Sequence, residues 1–226
     1  MTPFLATVLT LGGLAVLDTL LHGVGPVSAD FLLLVVFACI AAPHTLNLGH
    51  NARLSTLQPF MLAAIVLFGV KEAMLLAAIS MAYFWIVGRP RVPAYKALFN
   101  LCDFVLAAFL GGQVFFRAGG HLGDVASPDS LLALLLAILA FFIVNTGLVS
   151  IAVGLEQHIS PFRVWYEKYS WTLNTQIAGG SLVILLGILR QSFGTQVLFL
   201  VLPFAIMAYH FHKAYFQKAA QRAHKT

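Results

Sequence analysis

The sequence predicts an all-α polytopic membrane protein: a bundle of about eight transmembrane helices, the third and fourth short, with both termini cytoplasmic. Three observations predict it. Apolar residues make up 60% of the 226 positions and charged residues only 9%, against about 25% charged in an ordinary soluble domain. Apolar runs recur along the chain, several of them long enough to cross about 30 Å of hydrocarbon. The basic residues divide unevenly between alternate loops, which is how the positive-inside rule orients a bundle.

Eight apolar segments follow one another at about 3–22, 28–46, 55–69, 72–88, 95–117, 129–155, 171–189 and 194–212. The first, "MTPFLATVLTLGGLAVLDTLL", lacks the basic start and cleavage site of a signal peptide, so it reads as a retained helix. Pro43 and the polar "HTLNLGHNARLS" break the second. Only "GVKE" separates the third and fourth, which therefore form a tight helical hairpin that need not span fully. The remaining segments read as ordinary spans. Residues 1–212 thus make one integral membrane bundle, and 213–226 a basic juxtamembrane helical tail.

With both termini inside, Arg53, Arg89, Arg91, Lys96, Arg163, Lys168, Lys213, Lys218, Arg222 and Lys225 face the cytoplasm, and only Lys71, Arg117 and Arg190 face out. Trp85, Trp165 and Trp171 fall near the inner boundary, with Tyr95, Tyr166 and Tyr169 beside them, as an aromatic belt does. The net charge of +5 therefore reads as membrane orientation and contact with membrane lipids. No basic stripe interleaved with aromatics offers itself to nucleic acid.

Polar residues inside the spans are the candidate site. "KALFNLCD" sets Lys96, Asn100 and Asp103 on one helical stripe of the fifth segment. A carboxylate in a bilayer costs at least a few kcal/mol, so it faces protein or a wet cavity. Asn145 lies in "FFIVNTGLVSIAVG", with Gly147, Ser150 and Gly154 as small residues for close helix approach. Asn174 and Gln176 stand near the start of the seventh segment. Asn100, Asp103, Asn145, Asn174 and Gln176 can line one cavity in the cytoplasmic half and grip a ligand head. They can equally be hydrogen-bonding glue between helices, with Lys96 snorkelling to the inner surface.

No catalytic motif, cofactor or metal site emerges. Cys39 and Cys102 lie inside apolar runs and read as buried free thiols. Among the eight histidines, His44 and His50 flank the Pro43 break. His210 and His212 stand two apart, which on a helix points their rings about 200° apart, so they cannot share a metal there. The glycine pairs at 12–13, 111–112 and 179–180 lie within helices, not after a strand, and make no phosphate loop.

The order of these features resembles the multi-helix membrane sensor domains found N-terminal to bacterial HD-GYP, GGDEF and histidine-kinase outputs. Those domains are themselves similar to the S components of energy-coupling-factor transporters. The resemblance runs from about residue 53 onward. It is carried by "RLSTLQPFMLAAIVLFGVKEAMLLAAIS", "YKALFN", "FFIVNTGLVSIAVGL", "FRVWYEKYSWTL" and "LPFAIMAYHFHKAY". Asn100 and Asn145 match its pattern; Asp103 does not belong to it.

The resemblance implies a non-enzymatic sensory domain of the bacterial inner membrane. Such a domain would bind a small lipophilic ligand and relay its state through the last helix, as a homodimer, to a cytoplasmic output domain or partner protein. No output follows Thr226, which reads as an isolated sensor domain or one served by a separate partner. The rival reading is an S-component-like transport protein, and an intramembrane enzyme acting on lipid comes after it.

Overall fold

A computed structural model describes residues 2–25, 27–43, 46–47, 53–54, 56–88, 92–197 and 199. Eight α-helices run in chain order: α1 (Thr2–His22), α2 (Ala29–Ala41), α3 (Gln58–Leu67), α4 (Val70–Val87), α5 (Ala94–Arg117), α6 (Pro128–Gln157), α7 (Pro161–Val164) and α8 (Leu173–Phe193). A π-helical turn, Trp165–Tyr169, and a 3-10 turn, Ser170–Thr172, join α7 to α8. Between α2 and α3 a two-residue antiparallel pair sets Leu46 against Leu54 and Asn47 against Arg53.

Among the described residues five helical stretches are long and apolar enough to cross a membrane: α1, α4, α5, α6 and the run Pro161–Phe193. α2 and α3, with 13 and 10 residues, are shorter. This corrects the expected pairing of short segments, which is the second and third, not the third and fourth. The causes are local. α2 stops at Ala41, two residues before Pro43, and Pro59 sits in the first turn of α3, where a missing N–H does no harm. α4 gains its 18 residues because it starts at Val70. Gly69, at φ 121°, makes the turn between α3 and α4 in a conformation that residues with a side chain rarely adopt. The eighth apolar segment beyond residue 199, the tail 213–226, Arg89, Arg91 and His44, His50, His210 and His212 lie outside the described residues.

α3 is the hub. At about 1.5 Å per residue it is only about 15 Å long, and Phe60, Met61, Leu62, Ile65 and Val66 are all at most 1% exposed. α4, α5, α6 and α8 pack around it. Apolar side chains also cover the outside, with Leu14, Leu20 and Leu21 of α1 and Leu132 and Ile143 of α6 more than half exposed. An apolar interior with an apolar exterior suits lipid as solvent. α8 reaches its neighbours through missing side chains: a Cβ on Gly180 would overlap Ile138 of α6, and one on Gly187 would overlap Val125. Gly147, by contrast, opens on empty space, and Gly154 abuts Ile159 and Pro161 of its own chain turn, not a separate long helix. The small-residue face expected on α6 therefore brings no long helix to these two glycines.

Helix ends are fastened at two levels. At one, Lys96 opening α5 meets Glu156 closing α6, Nζ to Oε1 at 2.8 Å. At the other, Arg190 of α8 meets Asp30 of α2 at 2.7 Å. There the N–H of Gly25 donates to Glu72 Oε1 (2.9 Å), and the N–H of Gly123 donates to the Val66 carbonyl (2.7 Å).

Candidate functional site

Asp103 lies near the middle of α5, facing inward, and is 1% exposed. Asn145 of α6 donates from Nδ2 to Asp103 Oδ2 at 2.7 Å. This is the interhelical contact expected of an acid that hydrocarbon does not tolerate. The other carboxylate oxygen, Oδ1, is buried and has no hydrogen-bond partner among the described residues. Gln176 of α8, 4% exposed, repeats the pattern. Its backbone carbonyl accepts from Gln58 Nε2 at 3.3 Å, while its side-chain oxygen is buried without a partner among the described residues. Unpartnered buried polar atoms are rare in folded proteins and each calls for a cause.

Both groups line one cavity of about 580 Å³, a size usual for small-molecule sites. Asn100, half-buried one turn before Asp103, also lines it. Phe4, Phe84, Phe99, Phe104 and Phe141 supply ring walls, and Tyr169 of the π-turn joins them. Lys96 and Glu156 stand at the rim with side chains 42% and 40% exposed, so the cavity runs from the helix ends down to Asp103.

Of the five candidate residues, four line the cavity: Asn100, Asp103, Asn145 and Gln176. Asn174 does not. It is exposed on α8, and the reason is helical phase, since residues two apart point about 200° apart. Gln176 faces in, so Asn174 faces out. Lys96 does mark a helix end, but it is paired with Glu156 there.

Several lining groups lay outside the sequence-based set. Thr146 donates to the Phe142 carbonyl at 2.6 Å and accepts from Trp165 Nε1 at 2.9 Å, which ties the π-turn to α6. Thr172, wholly buried, donates to the Tyr169 carbonyl at 2.7 Å. Gln58 carried a detectable signal, a buried amide opening an apolar run. Thr146 gave none, because a threonine that bonds its own helix looks like any other. Among the described residues no group of three histidine, cysteine or acidic side chains converges as a metal site would.

A multi-pass helical membrane domain with a polar-floored internal cavity is the class that fold and site define. The sequence profile of the MASE9 family matches residues 19–216, and the chain belongs to that family of membrane-associated sensor domains. No curated protein and no solved structure matches the chain.

Proposed function

We propose that this sensor domain binds a small lipophilic ligand in the cavity between α5, α6 and α8 and relays its occupancy through the last helix to a cytoplasmic output. The observation that carries the reading is Asp103, a buried carboxylate with one oxygen satisfied by Asn145 and the other left open beside a 580 Å³ cavity. A purely structural clamp would use both oxygens. The site supports binding without chemistry, since no nucleophile–base pair accompanies the carboxylate among the lining residues, and we read the protein as non-enzymatic.

The mechanism is a shift of population. A ligand between α5, α6 and α8 favours the packing in which the cavity is open, and the terminal helices of a dimer move with that packing. The resemblance to sensor domains upstream of HD-GYP, GGDEF and histidine-kinase outputs supports such a relay. It also supports residence in a bacterial inner membrane with both termini inside.

Fusing a reporter output after residue 226 through linkers that advance one residue at a time tests the relay. Activity should oscillate with a period of about 3.6 residues, one helical turn. Output independent of phase would overturn the relay and reduce the tail to a lipid anchor, and solute flux into liposomes carrying the purified chain would favour transport instead.

A further inference from the structure

The charge and wall chemistry of the cavity narrow the ligand class. Among its described lining residues the charged side chains are Lys96, Asp103 and Glu156. Lys96 is held by Glu156 through both carboxylate oxygens, at 2.8 and 3.1 Å. That leaves Asp103 as the uncompensated acid: no cation among the described residues pairs with it, and its Oδ1 has no donor. Acids within membranes commonly serve as counter-ions, either to another residue or to a ligand. Among the described residues none supplies that counter-charge.

The walls point the same way. Phe4, Phe84, Phe99, Phe104, Phe141 and Tyr169 line the cavity with π faces and edges, and rings around a desolvated site attract cations through their quadrupoles. The second unpartnered acceptor, Gln176 Oε1, would also take an N–H donor. An anionic head would meet Asp103 with no free cation among the described lining residues to offset it.

We propose that the cavity takes a lipophilic cation, with a single ammonium-type head beside Asp103 and an apolar body among the aromatic rings. The inference rests on the ligand-binding reading above. An ammonium head could belong to a free amphiphilic amine or to an amine-bearing lipid of the surrounding bilayer, and both share this chemistry.

The test uses the full chain in nanodiscs and phenylalkyl probes of one chain length bearing a trimethylammonium, hydroxyl or carboxylate head. Binding is read by calorimetric titration, with empty discs subtracted. The trimethylammonium probe should bind about ten-fold tighter than the hydroxyl probe, the scale of a desolvated cation–π contact, and the carboxylate probe should bind weakest. Asp103→Asn should shrink the ratio of ammonium to hydroxyl affinity. Should that variant not fold, Phe99→Leu and Tyr169→Leu thin the ring walls and should shrink the same ratio.

Equal affinities for hydroxyl and ammonium in the native chain, or a preference for carboxylate, would overturn the cation class and leave ligand binding standing. Saturable binding by no probe would overturn both. Discs with and without an amine-bearing lipid separate the two sources of the head. A loss of probe affinity in the amine-bearing discs supports the proposal with the lipid as ligand. Equal affinity in both supports it with a free amine.

Discussion

Where α5 finishes and α6 begins, the chain fastens its polar groups to one another. Asp124 Oδ1 accepts from the N–H groups of Ala126 and Ser127, at 2.9 and 3.2 Å, and Asp124 Oδ2 from the Ser130 hydroxyl, at 3.2 Å. Ser127 caps α6 by accepting from the Ser130 N–H. Arg190 pairs with Asp30 and stands over the Phe68 ring, 6.0 Å from its centroid. Where α5 begins and α6 ends, the polar groups instead surround a cavity, and Asp103 and Gln176 keep buried oxygens without partners. One end is mostly paired, with Arg190 Nε its one buried side-chain polar atom lacking a partner among the described residues, whereas the other keeps two unpartnered acceptor oxygens beside a cavity.

The two ends should face opposite sides of the membrane, and this gives the largest expected effect. We expect the cavity end to face the cytoplasm. In a background free of Cys39 and Cys102, Arg91→Cys and Ala126→Cys should divide all-or-none on intact cells treated with an impermeant maleimide, with position 126 labelled and position 91 not. The reverse pattern would invert the whole assignment of inside and outside.

Next in size is the cost of breaking the fastened end. Arg190 and Asp30 have side chains 31% and 15% exposed, between a surface pair, worth about 0–1 kcal/mol, and a fully buried one, whose breaking costs about 3–5. Arg190→Ala should therefore cost about 2 kcal/mol in chemical unfolding in micelles, and it also removes the contact with Phe68. A loss no larger than that of Lys96→Ala, whose partner Glu156 is as exposed as itself, would erase the contrast between the ends.

At the cavity end the same measurement should move little. Asp103→Asn keeps the size and most of the hydrogen bonding, so stability should change by about 1 kcal/mol or less, the range of interhelical hydrogen bonds in membranes. A loss several times larger would make Asp103 a clamp, and the open oxygen an accident of packing.

The cavity end was partly legible in the sequence because cost alone predicts it. An acid in an apolar span must face inward, and Asn145 was the amide positioned to meet it from α6. Helical phase was not legible at α8. "FRVWYEKYSWTL" reads as a connection but folds as α7, a π-turn and a 3-10 turn, and the last two depart from 3.6 residues per turn. No count from either side then gives the direction of Gln176. The two-residue spacing alone could have kept Asn174 and Gln176 from being placed on one face, as it excluded a shared metal at His210 and His212. The Lys96–Glu156 pair was missed for a different reason. Sequence places both at the same membrane boundary, but the choice of neighbouring helices belongs to packing. The short α2 was readable from Pro43, whereas the burial of α3 on all sides depends on the helices packed around it, α2 among them.

The smallest expected effect belongs to Asp124, in the loop before α6. The Ser127 hydroxyl, the N–H groups of Ala126 and Ser127 and the Ser130 hydroxyl hold its carboxyl at about 2, below the ordinary 3.8. These bonds favour the charged form, and the negative charge lies by the positive N-terminal end of α6. A carboxyl depressed on folding stabilises the fold fully above its unfolded value, and that stabilisation is lost as pH falls through the folded one. The stability gap between the native chain and Asp124→Asn should therefore be constant from neutral pH down to the ordinary carboxylate value of 3.8, then close as pH falls toward about 2. Taking the difference cancels the other carboxylates, which titrate alike in both chains. The group lies in a surface loop and is only partly buried, so the gap should be small and should narrow further with added salt. A gap that widened below pH 3.8 would mean that the loop is held by the protonated acid, and the fastened end would then owe its order to Arg190 and Asp30 and not to the cap of α6.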